Sequence, residues 1–301
     1  MSDVATPPAG RPGYAMGVGL TALGGFLLTF DALLLRMVQA ERWSLVFVRG
    51  VFMFGAGVVA WLLLRRRVES ARSFFNGPAG LLVALLYGTN SVCFVLALSH
   101  TKVANVLFLA STAPLFAALL SVVVLKERIH PATWAAMLSA LLGILLVVGD
   151  AMARGSWLGD AFALAGAASL GAAFVATRRS GRNMFMAPAV GGLVAAVVAA
   201  PLVHGISFTP AEWGYVGLEA GLLIPVALGL IAVGPKYLPA PQVGLFLLLQ
   251  TVLGPAWVWL FLGEAPSTFS AVGGALIVGT LVLNSAYFLL RKSPPDAARA
   301  R

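Results

Sequence analysis

Residues 103–147 read VANVLFLASTAPLFAALLSVVVLKERIHPATWAAMLSALLGILLV. An apolar run from Val103 to Leu125, broken once by Pro114, ends in the charged triplet Lys126-Glu127-Arg128, and a second apolar run, Ala132 to Val148, comes directly after it. About 20 apolar residues in a helix cross the roughly 30 Å hydrocarbon layer of a bilayer, so the stretch predicts two spanning helices joined by a tight charged turn. The same plan returns 137 residues later, in Ala240 to Asn284. Asn105 falls on Gln242, Val106 on Val243, Leu125 on Leu262 and Glu127 on Glu264, with a small residue nine positions past each glutamate, Ala136 and Gly273. A chain that repeats itself at long period is read as two copies of one unit.

The rest of the chain agrees with a membrane setting. Of its 301 residues 60% are hydrophobic and 10% charged, and the mean hydropathy is +0.94. A soluble domain does not carry that much apolar surface. The net charge of +9 does not point to nucleic acid, because the basic residues stand in short clusters between apolar runs and so report topology. Cys93 is the single cysteine and lies inside an apolar run, which excludes an intrachain disulfide and a cysteine metal cluster.

Ten spanning helices are expected, at about Gly13 to Leu35, Trp43 to Leu64, Pro78 to Ser99, Val103 to Leu125, Ala132 to Val148, Trp157 to Thr177, Ala187 to Val203, Glu212 to Val233, Ala240 to Leu262 and Phe269 to Leu290. Residues 1–12, rich in Pro, Gly and Ala, read as a disordered tail, and residues 291–301 as a short basic one. The two units are then 13–149 and 156–290. A shift of 142 aligns their first helices, setting Gly24 on Gly166 and Arg36 on Arg178.

Alternate loops on the other side hold Arg36, Arg42, Lys102 and Arg154, and Arg49 lies within a helix; the other fifteen of the 20 Lys and Arg fall on the side of the termini. The positive-inside rule makes that side cytoplasmic. Five helices per unit, an odd number, require the second unit to enter the membrane upside down. Two inverted units around a central cavity are the architecture of secondary transporters, whose halves exchange roles to open one site to either face.

These residues resemble the EamA-type ten-helix exporters of the drug/metabolite transporter superfamily. The likeness rests on the glutamate turns (Leu125-Lys126-Glu127-Arg128 and Leu262-Gly263-Glu264), Ala97-Leu98, Pro114, Arg49 and the Gly273-Gly274 pair with Gly279. It departs at Thr251, where a proline is usual and where Pro255 stands one turn later. The resemblance implies export of small metabolites, often amino acids, through a cavity between the halves, and the chain looks most like the YddG-type aromatic and neutral amino-acid exporters.

Helical spacing selects the polar groups that share a face. Tyr87, Asn90 and Phe94, with Ser91 adjacent, form one stripe; Asn105, Phe108, Thr112 and Phe116 form a second; Phe246, Gln250 and Trp257 form a third. Each joins an aromatic wall to a hydrogen-bonding group, as a cavity for an amphipathic small molecule requires. The same groups also suit plain helix packing, in which aromatics fill the bundle and amides bond between helices.

Glu219 and Arg49 lie well inside apolar helices, where an ionisable group costs a few kcal/mol unless it meets water or a partner. Each is a candidate for proton or substrate coupling, with a structural role as the other reading; Glu219 and Asp31 are candidate partners for Arg49. Pro114 and Pro255 are hinge candidates, because a proline removes a backbone bond that neighbours must replace.

No G-x-x-x-x-G-K-[ST] loop is present to drive ATP hydrolysis, and His100, His130 and His204 fall at helix ends on differing sides. The expectation is therefore not an enzyme, with no cofactor, no metal and no nucleic-acid partner. It is a carrier of the bacterial inner membrane for neutral or zwitterionic metabolites, above all amino acids. A drug or other metabolite facilitator, or a channel, is the alternative, and the oligomeric state is left open, a monomer sufficing.

Overall fold

The computed structural model describes residues 13–65, 75–101, 103–148, 156–262 and 268–290. Every regular element among them is helical. In chain order these are α1 (Tyr14–Leu28), α2 (Asp31–Arg36), α3 (Arg42–Leu64), α4 (Gly77–His100), α5 (Val103–Ala110), α6 (Ala113–Leu120), α7 (Pro131–Val148), α8 (Trp157–Ser180), α9 (Ala187–Ala199), α10 (Pro210–Leu218), α11 (Ile224–Val233), α12 (Ala240–Phe246), α13 (Leu249–Leu262) and α14 (Thr268–Leu290). They fall into ten segments, since α1 and α2, α5 and α6, α10 and α11, and α12 and α13 each continue one another. Arg42–Leu63, Gly77–Ala97, Phe108–Leu125, Trp157–Ser180, Pro210–Lys236 and Val272–Leu290 are long and apolar enough to cross a bilayer, and Tyr14–Leu28, Pro131–Leu146 and Ala187–Leu202 are shorter apolar helices.

The helix ends obey local chemistry. Glu41 caps α3, accepting from the N–H groups of Trp43 and Ser44 at 3.0 and 2.7 Å. Slight burial pushes the Glu41 carboxyl up, but those N–H groups and the Ser44 hydroxyl outweigh it and hold the carboxyl below its usual range. Thr209 and Glu212 form a reciprocal capping box around Pro210 at the start of α10. At the other kind of end, α8 stops at Gly181 with φ 61°, and the segment after α6 stops at Lys126 with φ 55°.

Three of the expected spans are broken. The first breaks at Thr29–Phe30, the fourth at Ser111–Thr112 and the ninth at Leu247–Leu248. The last two breaks stand at repeat-related positions, so one feature of the unit occurs twice. The eighth span holds a further irregularity, a π-turn at Glu219–Leu223.

Packing joins the halves instead of separating them. The most extensive helix contacts, α4 with α8 and α9, α3 with α9, α7 with α14, α1 with α11, and α6 with α8 and α12, all cross from one unit to the other. They also obey an exchange rule. Swapping the units returns α3/α9 and α7/α14 to themselves and converts α4/α8 into α11/α1, as a pseudo-twofold axis requires; the α6/α12 contact joins the fourth and ninth spans, which are themselves counterparts.

Glycines set the register of these contacts. A Cβ at Gly24 would lie 2.6 Å from the Ala227 carbonyl on α11, while one at its counterpart Gly166 would lie 3.4 Å from the Asn90 amide and Cys93 on α4. Ala227 is itself the counterpart of Asn90 under the 137-residue shift. With no hydrophobic driving force between helices in lipid, such close approach supplies the packing that holds them. Outward faces carry exposed Leu63, Val123, Leu283 and Leu290, a surface suited to acyl chains.

Candidate functional site

A cavity of about 150 Å³ lies where the two units meet. Its wall is drawn from α1–α2, α3, α4, the α5–α6 break, α8, α9, α11 and the α12–α13 break. Both repeat-related breaks therefore face it, through Ala110 and Ser111 on one side and Leu247 and Leu248 on the other.

The α4 stripe is the part of the sequence reading that the geometry gathers most fully. Tyr87, Asn90, Ser91 and Phe94 all line the cavity. Asn90 also donates from Nδ2 to the Gly166 carbonyl at 3.0 Å, so it both faces the cavity and ties α4 to α8. The Tyr87 hydroxyl is buried with no hydrogen-bond partner among the described residues.

The other two stripes are interrupted by the helix breaks, which rotate the second helix of each pair relative to the first. Thr112 turns its hydroxyl to the Leu109 carbonyl at 2.6 Å and is not on the cavity wall. Gln250 lines the cavity from the first turn of α13, but Phe246, on the far side of the break, is buried away from it. Trp257 lies elsewhere: its Nε1 donates to Thr29 Oγ1 at 2.8 Å, and its ring stacks on Phe30 with centroids 4.8 Å apart. The side chain of Asn105 lies outside the described residues.

Of the hinge candidates, Pro114 stands just after the α5–α6 break and lines the cavity. Pro255 falls inside α13, past the α12–α13 break; its side chain lies outside the described residues.

One corner of the cavity is charged. Arg49 Nη2 donates to Glu219 Oε1 at 2.5 Å and to Asp31 Oδ1 at 3.1 Å, joining α3, the π-turn and α2. Glu219 is 1% exposed, and its Oε2 has no partner among the described residues. Arg49 and Asp31 line the cavity. A π-turn widens the helix by one residue, and the flanking Gly217 and Gly221 leave room for Phe52 of α3, whose ring carbons lie 3.8 and 3.4 Å from where their Cβ atoms would be. That seat brings α3 close enough for Arg49 to meet Glu219. Removing one partner would strand the others as buried charges, at a cost of about 3–5 kcal/mol.

Sequence reasoning named Asp31 only as a partner for Arg49 and did not mark Ser111, Met53 or Gly192 as cavity residues. Asp31 carried a usable signal, since a lone acid in an apolar helix is a functional candidate by the same rule that singled out Glu219. Ser111 carried none of its own, because a serine in an apolar run does not mark a cavity wall; the signal for the break beside it is Pro114.

Away from the cavity, at the α8 C-terminus, Arg178 bridges two chain segments. Its Nε lies 3.0 Å from both Glu127 oxygens, its Nη2 lies 2.9 Å from Oε1, and its Nη1 donates to the Leu238 carbonyl at 3.1 Å. The guanidinium thus ties the α6–α7 turn to the chain entering α12. Deeper at the same end Tyr14 donates to Gln242 Oε1 at 3.1 Å, both side chains being buried. Glu264, the counterpart of Glu127, lies outside the described residues.

Among the described residues no group of three His, Cys, Asp or Glu side chains is placed to hold a metal ion. What the fold defines is a helical membrane protein with a cavity where its two units meet. The sequence profile of the EamA-like transporter family matches residues 11–149 and again 157–286, and the chain belongs to that family, within the drug/metabolite transporter superfamily. It is 28% identical over 275 residues to the pseudopaline exporter CntI of Pseudomonas aeruginosa, covering 87% of this chain and 93% of that one. It is 29% identical over 262 residues to a probable terminal-alkyne amino-acid exporter of Streptantibioticus cattleyicolor, covering 76% and 85%. A solved crystal structure shares the fold with a TM-score of 0.78 at 22% identity, over 92% of this chain and 99% of that one. Both of these relatives are named as exporters, and this chain shares with them the fold of a membrane transporter family.

Proposed function

We propose that the chain exports small neutral or zwitterionic metabolites, amino acids foremost and aromatic ones among them, by alternating access across the bacterial inner membrane. Residues 13–149 and 156–290 are the two units that exchange roles, and both termini are cytoplasmic. The observation that carries this reading is the cavity at the junction of the units, walled by Tyr87, Asn90, Phe94 and Gln250, with one charged corner. Aromatic surface, amide groups and a small set of charges suit an amphipathic zwitterion and do not suit a multiply charged anion. The amino-acid exporter among the relatives supports the same class.

In this orientation Arg178 and Glu127 face the cytoplasm, so their bond and the Tyr14–Gln242 contact shut that side. Glu219, held by Arg49, is the coupling carboxylate: a proton there weakens its hold on the guanidinium and loosens α3 from the eighth span.

The test is efflux from proteoliposomes loaded with labelled neutral, aromatic and basic amino acids, with and without a pH gradient. Saturable efflux of a subset, accelerated by the same amino acid outside, is the expected result, together with a pH effect lost in Glu219→Gln. Non-saturable efflux without counterflow would mark a channel. Absence of amino-acid movement by folded protein would pass the assignment to a drug or other metabolite facilitator.

A further inference from the structure

The charged corner contains more hydrogen-bonding capacity than the protein uses. Arg49 has five N–H donors. The two contacts it makes among the described residues, to Glu219 and to Asp31, both come from Nη2. Nη1 and Nε donate to no other described protein group. Asp31 engages the guanidinium through Oδ1 alone. Arg49 and Asp31 are both on the cavity wall, whereas Glu219 sits behind them at 1% exposure.

We infer that Arg49 and Asp31 form a clamp for the head group of an α-amino acid, Arg49 donating to the substrate carboxylate and Asp31 accepting from its ammonium. This rests on the exporter reading above and narrows it to substrates that carry both charged groups on one carbon.

Geometry supports the pairing. In an α-amino acid the ammonium and the carboxylate branch from one carbon, and in the clamp the complementary charges stand 3.1 Å apart. One short head group therefore reaches both partners at once. Glu219 is a positioning residue in this arrangement: it occupies one Nη2 hydrogen and so fixes the plane in which the remaining donors point. From the clamp the wall continues to Tyr87, Asn90 and Phe94, which would receive the substrate side chain.

The sign of the corner orders the analogues. Two carboxylates against one guanidinium give a formal charge of −1, so a bare amine is tolerated better than a bare carboxylate. An N-acyl amino acid keeps the charge the corner repels and lacks the one it attracts. Buried polar groups left unpaired by the wrong analogue discriminate strongly.

Binding to the purified full-length protein in detergent is measured for two series: phenylalanine, phenethylamine and N-acetylphenylalanine, and leucine, isopentylamine and N-acetylleucine. In the series that matches the cavity, the amine is expected to bind about tenfold more weakly than the free amino acid and the N-acetyl form about a hundredfold more weakly. Asp31→Asn should weaken the amino acid and the amine together and strengthen the N-acetyl form, which loses a repulsion. Arg49→Lys should weaken the amino acid and leave the amine unchanged.

Equal binding of the free and N-acetyl forms by wild type overturns the clamp, and this arm needs no variant to fold. So does a uniform loss across all three analogues in Asp31→Asn. If proteoliposomes export amino acids while binding ignores the head group, the clamp alone falls. If folded wild type neither binds nor exports any amino acid, the substrate class falls and the clamp falls with it.

Discussion

Gly50 of α3 and Gly192 of α9 pack backbone to backbone, and a Cβ built on Gly192 would lie 3.1 Å from the Gly50 carbonyl oxygen. The two are related by the 142-residue shift that also relates Gly24 to Gly166, so a position in the first unit touches its own counterpart in the second. Only a point on a twofold axis does this, and here the pseudo-axis runs along the wall of the cavity, which both glycines line.

A side chain at either glycine must push the units apart. Gly50→Val is expected to destabilise the protein by about 1–3 kcal/mol, the range for overpacking a filled contact. Gly55, one turn and a half further along α3 with open space at its Cβ, should accept the same substitution with little change. Thermal unfolding in one detergent, together with size-exclusion chromatography, compares the two. Equal stability of the two variants would remove the axis contact from the account.

The Arg178–Glu127 pair makes a separate prediction. Both side chains are about one-fifth exposed, so the pair is partly screened, but the guanidinium also bonds the Leu238 carbonyl and holds two chain segments at once. Losing charge-assisted bonds of about 1.5–3 kcal/mol shifts a two-state equilibrium about tenfold or more. A cysteine at buried Val243 in an otherwise cysteine-free protein should react with a maleimide about tenfold faster in Glu127→Gln than in its parent, and Arg178→Lys should fall between. An unchanged rate would mean that the pair caps the turn without closing the bundle.

At Thr29–Phe30 the chain breaks, and Trp257 anchors the break by its Thr29 bond and by stacking on Phe30. Trp257→Phe keeps an aromatic ring and loses the bond, for an expected loss of about 0.5–1.5 kcal/mol. Trp257→Ala loses both and leaves a cavity, for about 3–5 kcal/mol. Thr29→Val loses that bond and also the one Thr29 donates to the Phe26 carbonyl at 2.6 Å, so it should cost more than Trp257→Phe, but less when added to Trp257→Phe than it does alone. Melting temperatures of the single and double variants close the cycle; additive losses would show that the bond contributes nothing.

The sequence disclosed the parts of this structure that depend on composition and period. Spans, turns and the repeat were read from apolar runs about 20 residues long and from glutamates 137 residues apart. The α4 stripe was legible because α4 runs unbroken from Gly77 to His100, so i, i+3 and i+7 do share a face. The breaks were legible only in part. Pro114 lacks the N–H that would bond the Ala110 carbonyl, which fits a break at Ser111–Thr112 and is why it stood as a hinge candidate, whereas Leu247–Leu248 holds no glycine, proline or polar residue to announce a break. Once a helix breaks, spacing no longer says which residues share a face, which is why Phe246 and Gln250 part company. Coupled charges from three segments, as at Arg49, were suggested by the rarity of acids in apolar runs but were assembled only by the fold.

Pro114 and Gly244 join the two breaks. A Cβ on Gly244 of α12 would lie 3.0 Å from both Cα and Cγ of Pro114, so the proline ring just past the first break is seated on the glycine just before the second. If alternating access bends both segments at their breaks, this contact must slide, and bulk at position 244 would resist it. Gly244→Ala places a methyl at the limit of contact and should slow efflux while leaving the folded protein intact. Gly244→Val should slow it further, and by more than it weakens substrate binding: Gly244 is on the cavity wall, but Tyr87, Asn90 and Arg49 keep their places. Transport rates in proteoliposomes set beside equilibrium binding in detergent give the comparison. Parallel loss of binding and transport would show that position 244 shapes the cavity itself, and unaltered transport in Gly244→Val would show that the two breaks do not move against each other.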